Sequence, residues 1–300
     1  MTLYTRLRPY RYQLFLLAYT PLGLYADAHV ANVYQQDALG VLTFAVLFFV
    51  LRFAPPEQRR QVWLAVVIAT CGELYFSLGV GLYRYRFDNV PLYVPAGHGL
   101  VYFFALTAAA TPLMLRRRRL LVGLALGLAT AWALLGVTVL PILTGRLDMT
   151  GALLWPIFAY FTLRSRKAPV YAAAFLMTSV LELFGTGFHN WTWQAIAPIS
   201  HLHQGNPPSV IAGAYCLLDA AVMRLSGLLP SALMGRGQKP PSPDAAVPPL
   251  PARGEGRVGT RNRKPPGAAV SPLPASRGGQ GGEEQRSDSA TEKEASGSRE

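Results

Sequence analysis

Long apolar stretches separated by short arginine clusters dominate the first 230 residues of this 300-residue chain. A helix needs about 20 mainly apolar residues to cross the hydrocarbon core of a bilayer. The pattern therefore predicts an all-α, polytopic transmembrane helix bundle with about eight spans. The predicted spans are residues 13–30, 38–53, 62–82, 94–115, 120–143, 151–163, 169–188 and 208–229.

The basic residues alternate between the two sets of loops that join these spans. Loops on one predicted side carry 13 Arg and Lys residues, whereas the opposite loops carry three. Because basic loops stay in the cytoplasm, both termini are predicted to be cytoplasmic, in a bacterial inner membrane. The 13 are Arg6, Arg8, Arg11, Arg52, Arg59, Arg60, Arg116, Arg117, Arg118, Arg119, Arg164, Arg166 and Lys167; the three are Arg84, Arg86 and Arg146.

The two ends of the chain have their own patterns. Residues 1–28 allow two interpretations, a first span or a secretory signal that ends at Ala26-Asp27-Ala28, and removal of a signal would leave seven spans. Residues 231–300 are rich in Pro, Gly and Arg and poor in large apolar residues, which predicts a disordered cytoplasmic tail. The net charge of +12 comes mostly from the loop arginines, so we expect no nucleic-acid partner.

Glu73 and Glu182 lie inside two apolar stretches, and each begins nearly the same short motif. A Gly and two aromatic residues in i, i+2 spacing follow each glutamate, and a Pro comes next. This similarity predicts two parallel four-helix halves, residues 1–115 and 116–230, related by an axis along the membrane normal. The matched positions are Gly79 and Gly187, Tyr83 and Trp191, Tyr85 and Trp193, and Pro91 and Pro198.

Ionisable residues in these spans predict a polar pocket, because a carboxylate in hydrocarbon costs roughly 2.5–3.5 kcal/mol on insertion scales and usually faces a bundle interior. The candidate catalytic residues are Glu73, Glu182, His98 and Asp219, and the candidate substrate-binding residues are Tyr83, Tyr85, Trp191, Trp193 and His189. Two interpretations compete with these roles. The aromatic residues fit an interfacial belt, and Asp219 and Arg224 could satisfy one another or a neighbouring helix.

Three uses of the pocket follow from the residue types. His29, His98 and His189 with a carboxylate are the ligand types for zinc or non-haem iron, although no compact histidine motif is present, so the cofactor is left unknown. A desolvated carboxylic acid could protonate a lipid double bond. Alternatively, the acids pair with Tyr, Ser or Thr on neighbouring helices and are structural.

Residues 73–102 show a family resemblance. An acid, a Gly/Tyr run and the proline-rich segment Val90-Pro91-Leu92 follow one another here, and the segment resembles the CruF-like carotenoid-biosynthesis membrane proteins. The resemblance covers about 30 residues and is echoed near Glu182; this chain has His98 near a position where the family pattern has a Trp. It implies hydration or cyclisation of a long isoprenoid by protonation of a double bond, with Glu73 as the acid.

These observations favour a membrane-embedded enzyme that acts on a lipid or isoprenoid by acid–base chemistry. A proton-coupled transporter is the alternative, because parallel repeats and carboxylates near the midplane also suit proton-coupled transport. A non-catalytic membrane scaffold is the third hypothesis. The lipid bilayer is the predicted partner, while the substrate and the oligomeric state stay open.

Overall fold

The structure, a computed structural model, describes residues 7–228, and within that range the chain forms eight helices of 16 to 20 residues. Short helices at Arg8–Tyr10, Pro112–Arg116 and Leu140–Thr144 lie between them. The predicted tail, residues 231–300, lies outside the described residues. The long helices are α1 (Arg11–His29), α2 (Val33–Leu51), α3 (Pro56–Glu73), α4 (Tyr93–Ala109), α5 (Arg118–Val137), α6 (Met149–Arg164), α7 (Ala168–Gly187) and α8 (Ala212–Leu228).

The helical fold class and the membrane character are confirmed at a coarse level. Among the described residues, four segments are long and apolar enough to cross a membrane: α2, α5, α7 and α3 with its continuation to Gly79. Large apolar side chains on the outer faces of α2 and α5, such as Phe48, Phe49 and Leu128, are exposed in the isolated chain. Such faces are expected where a helix borders lipid instead of water.

The all-α expectation needs correction at two places. Tyr83–Tyr85 forms strand β1, Trp191–Trp193 forms strand β2, and the two pair antiparallel as a short ribbon. Both segments alternate aromatic and polar residues with period two, and aromatic residues favour strands. Each strand follows a long helix, β1 after α3 and β2 after α7.

Helices α4 and α7 form the centre of the bundle. They pack on each other, and α4 also contacts α1, α2 and α3, whereas α7 contacts α1, α5, α6 and α8. Gly99 allows the close approach of α4, because a Cβ there would lie 2.8 Å from a methyl of Val66 and 3.1 Å from Leu47. Small residues at such crossings are typical of membrane helix packing.

Prolines explain where several predicted boundaries differ from the structure. The predicted fourth span continues to residue 115, but α4 ends at Ala109 and a new short helix begins at Pro112. The predicted fifth span likewise continues to 143, but α5 ends at Val137 and a short helix with Pro141 in its first turn follows. Proline fixes φ and lacks an N–H, so it starts a helix more readily than it continues one.

Strand β2 lies against α7 at a glycine. A Cβ on Gly185 would overlap the indole ring of Trp191, whereas a Cβ on Gly187 would have nothing within 4 Å. Helix α7 therefore accepts the ribbon only because position 185 has no side chain.

We expect Gly185→Ala to lower the free energy of unfolding by about 1–3 kcal/mol, because overpacking forces the Trp191 ring to move. Gly187→Ala is the matched control on the same helix and should change stability little. Reversible unfolding in mixed micelles measures both. Equal effects of the two substitutions would contradict the close contact between α7 and β2.

Candidate functional site

Glu73 is the last residue of α3, at the point where the α-helix continues into a π-helical segment, Leu74–Gly79. The chain then turns back, and β1 places Tyr83 and Tyr85 on one face of the ribbon. Their hydroxyl groups donate hydrogen bonds to Oε2 of Glu73 at 2.7 and 2.8 Å. The acid is thus bound by the strand that follows its own helix.

Glu182 on α7 repeats this arrangement. The chain leaves α7, forms β2, and returns Trp191 and Trp193 to the acid. Their indole N–H groups donate to Oε2 of Glu182 at 3.0 and 3.1 Å. The second oxygen, Oε1, accepts no hydrogen bond from the described residues, so it is free for a ligand or water.

The ribbon joins the two acids into one site. Tyr83 pairs with Trp193 and Tyr85 pairs with Trp191, so all four rings lie on the same face. The ring centroids of these pairs are 4.6 and 5.9 Å apart. All four aromatic side chains are buried, and they connect the carboxyl group at the end of α3 to that of α7.

His98 completes the site from α4. Its Nε2 lies 2.8 Å from Oε1 of Glu73, and its ring stacks on Tyr215 of α8 with centroids 5.5 Å apart. The other ring nitrogen, Nδ1, is buried and has no hydrogen-bond partner among the described residues. Glu73 and His98 therefore form a pair in which one imidazole nitrogen is still available for proton exchange.

The two strand tyrosines are fixed as hydrogen-bond donors. Burial, followed by the neighbouring carboxylate of Glu73, raises the pKa of the Tyr83 phenol above its ordinary value. The same causes raise the pKa of Tyr85. Both hydroxyls therefore keep their protons at any physiological pH and continue to donate to Glu73.

A second polar network attaches the ribbon to the end of α1. The buried Asp27 carboxylate accepts hydrogen bonds from Gln36 at 2.8 Å, from Tyr93 at 3.0 Å and from Asn190, which directly precedes β2. Arg86, which directly follows β1, donates to backbone carbonyls at the end of α1, including those of Ala28 and Val30 at 3.0 Å. Both strands are thus anchored at the same place.

A cavity of about 820 Å³ lies beside this face of the ribbon. Its lining is mostly apolar and comes from α1, α2, α3, α4, α6, α7, α8 and both strands. Glu73, His98 and Glu182 are among its few ionisable lining groups. Gly23 and Gly97 also line it, and a Cβ on either would have nothing within 4 Å, so the glycines add to the open volume.

Seven of the predicted site residues therefore line one cavity, and two do not. Asp219 is buried on α8 but lies outside the cavity lining, and His189 is exposed at the turn between α7 and β2. The predicted pairing of Asp219 with Arg224 is wrong, because no ion pair joins them in the described range and Arg224 is exposed. The seven are Glu73, Glu182, His98, Tyr83, Tyr85, Trp191 and Trp193.

The predicted metal site does not assemble in the described part of the chain. No group of three His, Cys, Asp or Glu side chains there is arranged to hold a metal ion. The ring of His29 bonds to the backbone carbonyl of Tyr25 on the exposed end of α1, whereas His98 bonds to Glu73 in the bundle interior. His189 lies on the surface turn, so three different elements keep the three histidines apart.

Tyr215, Asp27 and Asn190 belong to the site or its support but were missing from the predicted site residues. Tyr215 lies near the start of α8 between the small residues Ala214 and Cys216, and no charged residue adjoins it in the sequence to set it apart from a packing residue. Asp27 and Asn190 carried a weak signal, since both are polar residues next to predicted span ends. Their contact joins positions 163 residues apart, and spacing along the chain does not reveal it.

No family model, curated protein or solved structure matches this chain.

We expect Tyr83→Phe to lower the free energy of unfolding by about 1–3 kcal/mol, because it removes one donor from a buried carboxylate. In a Glu73→Gln background the loss should be clearly smaller, since the two groups form one interaction. Tyr75→Phe, at an exposed residue of the adjacent π-helical segment, is the control. Additive effects of Tyr83→Phe and Glu73→Gln in mixed-micelle unfolding would contradict the contact.

Proposed function

We propose that this chain is a membrane-embedded enzyme that acts on a lipid or isoprenoid by acid–base chemistry at Glu182, Glu73 and His98. The observation that carries the proposal is one mostly apolar cavity that both glutamates line. The volume of about 820 Å³ falls within the usual range for small-molecule sites, about 300–1,000 Å³. An apolar lining suits a hydrocarbon chain better than a hydrated ion.

The two carboxyl groups have different surroundings, which suggests different roles. Glu73 accepts hydrogen bonds on both oxygens, from two phenols and His98, so we assign the Glu73–His98 pair as the base. Glu182 keeps Oε1 free, so we assign it as the acid. This reverses the role that the CruF-like resemblance implies for Glu73.

The reaction class is protonation of a carbon–carbon double bond. The proton of Glu182 forms a new C–H bond with the π electrons and leaves a carbocation on the neighbouring carbon. Faces of Tyr and Trp rings attract cations, and four such rings lie beside the acids. The Glu73–His98 pair then removes a proton, either from an adjacent carbon, which completes an isomerisation or cyclisation, or from a water molecule that adds to the cation.

We also propose the number of spans, the location of the termini and the division into two halves. Eight spans with both termini in the cytoplasm of a bacterial inner membrane fit the eight long helices and the distribution of arginine. Two four-helix halves fit the packing, since α3 packs on α8 as α4 packs on α7. The ribbon supports the same symmetry, because Tyr83 and Tyr85 of one strand pair with Trp193 and Trp191 of the other.

The test is a comparison of lipid extracts from cells with the wild-type gene, with the gene deleted, and with single substitutions. We expect deletion and Glu182→Gln to cause the same lipid or isoprenoid precursor to accumulate and its product to disappear. Glu57→Gln, at an exposed carboxylate in the first turn of α3, is the matched control and should resemble wild type. Chromatography with mass spectrometry measures the extracts.

A second pair of variants tests the cavity without changing an acid. Gly97→Leu should fill the open space beside His98 and reduce the conversion, whereas Gly127→Leu, on the exposed side of α5, should not. Unchanged extracts in every strain would overturn the enzyme proposal. If Glu182→Gln abolishes proton-coupled uptake into vesicles and leaves the lipids unchanged, the protein is a transporter instead. Wild-type behaviour of the variant in both assays would favour the non-catalytic scaffold.

A further inference from the structure

Three polar side chains lie one helical turn beyond the site, outside the cavity. They are Tyr102 on α4, Thr178 on α7 and Asp219 on α8, with exposures of 2%, 0% and 2%. Each belongs to a helix that also supplies a residue of the site. None of the three has a role in the reaction proposed above.

The spacing along each helix places these residues at one level. Tyr102 follows His98 by four residues on α4, and Asp219 follows Tyr215 by four residues on α8. Glu182 lies near the end of α7, whereas His98 and Tyr215 lie near the starts of α4 and α8. Because all three residues meet at one site, α7 runs in the opposite direction to α4 and α8. Thr178, four residues before Glu182, therefore lies on the same side of the site, about 6 Å along the helix axis.

Each of the three side chains has a polar atom without a partner in the described structure. The atoms are the Tyr102 hydroxyl, the Thr178 hydroxyl and Oδ2 of Asp219. The carboxyl group of Asp219 lies within electrostatic range of the Tyr102 hydroxyl. Buried polar groups in native proteins are almost always hydrogen-bonded to protein or to ordered water.

Thr178 differs from other buried threonines of the bundle in this respect. The hydroxyls of Thr162 and Thr186 donate to carbonyls of their own helices, at 2.8 and 2.7 Å. The hydroxyl of Thr178 makes no such bond and is left for another partner. A buried water typically makes about three hydrogen bonds, and Thr178, Tyr102 and Asp219 supply three polar partners on three adjoining helices.

We propose that Asp219, Tyr102 and Thr178 hold internal water and form a relay that returns a proton from the Glu73–His98 base to the Glu182 acid. The inference rests on the proposed function, in which each turnover leaves Glu182 without a proton and the base with an extra one. We call Asp219, Tyr102, Thr178 and their water the relay layer. The extra proton passes from His98 to the water and Asp219, and a proton passes from this layer to Glu182. The transfer restores both groups, so the relay needs no net proton from outside.

The position of the layer fits this role on both sides. Tyr102 connects it to the helix of the base, and Thr178 connects it to the helix of the acid. Tyr215 stacks on His98 and lies one turn from Asp219 on the same face of α8. The layer is thus one helical turn from His98, where the proton leaves, and one turn from Glu182, where it arrives.

The experiment is infrared spectroscopy of the full chain in lipid nanodiscs during transfer from H₂O to D₂O, which requires no substrate. The carboxylic acid C=O band of Glu182 is identified by its loss in Glu182→Gln. We expect Asp219→Asn and Thr178→Val to slow deuteration of this band by on the order of tenfold or more, and Tyr102→Phe to slow it as well. Thr162→Val, an equally buried threonine that bonds to its own helix, should keep the wild-type rate.

The outcomes separate the relay from the enzyme proposal. Deuteration at the wild-type rate in Asp219→Asn, Thr178→Val and Tyr102→Phe would overturn the relay, while the lipid extracts would still decide the function. Absence of any C=O band that depends on Glu182 would also overturn the relay, since there would be no acid to recharge. Slow exchange in all three variants but not in Thr162→Val supports it, whatever the substrate proves to be.

Discussion

Two carboxyl groups buried among apolar helices set the constraint on which this structure depends. A carboxylate removed from water is stable only when hydrogen-bond donors or charges replace its hydration. Here the donors come from a strand that follows each acid's own helix: phenols for Glu73 and indoles for Glu182. The strands pair with each other, so their own backbone groups are satisfied as well. The ribbon thus stabilises both acids and brings them to one place.

The same arrangement explains why the site is asymmetric although its two halves look alike. Glu73 has an additional partner, His98, and accepts hydrogen bonds on both oxygens. Glu182 has two indole donors on one oxygen, and its other oxygen faces no donor in the described part of the chain. In the proposed reaction, the replacement of phenols by indoles and the presence of one histidine distinguish the Glu182 acid from the Glu73–His98 base. The mostly apolar lining of the cavity is the feature on which the proposed hydrocarbon-like substrate rests.

The sequence predicted the helices and the convergence of the two acids, because these follow from local periodicity and from repeated motifs. It did not predict the ribbon, although Tyr83-Arg84-Tyr85 and Trp191-Thr192-Trp193 alternate as strands do. An interfacial aromatic belt explains the same residues, and three-residue strands give little signal. His29, His189 and Asp219 were placed with the acids from their approximate depth alone. Depth does not give the direction of a side chain around its helix, and none of these three residues lines the cavity.

The most direct test of the central claim is a cross-link between the two strands. Arg84 and Thr192 pair across the ribbon on its exposed face, at the Cα separation of about 4.5–5.5 Å that a disulfide accepts. In a background without Cys71, Arg84→Cys with Thr192→Cys should form a disulfide rapidly under mild oxidation, whereas Arg84→Cys with Thr138→Cys should not. Failure of the first pair to cross-link, in protein that remains folded, would contradict a single site built on both glutamates.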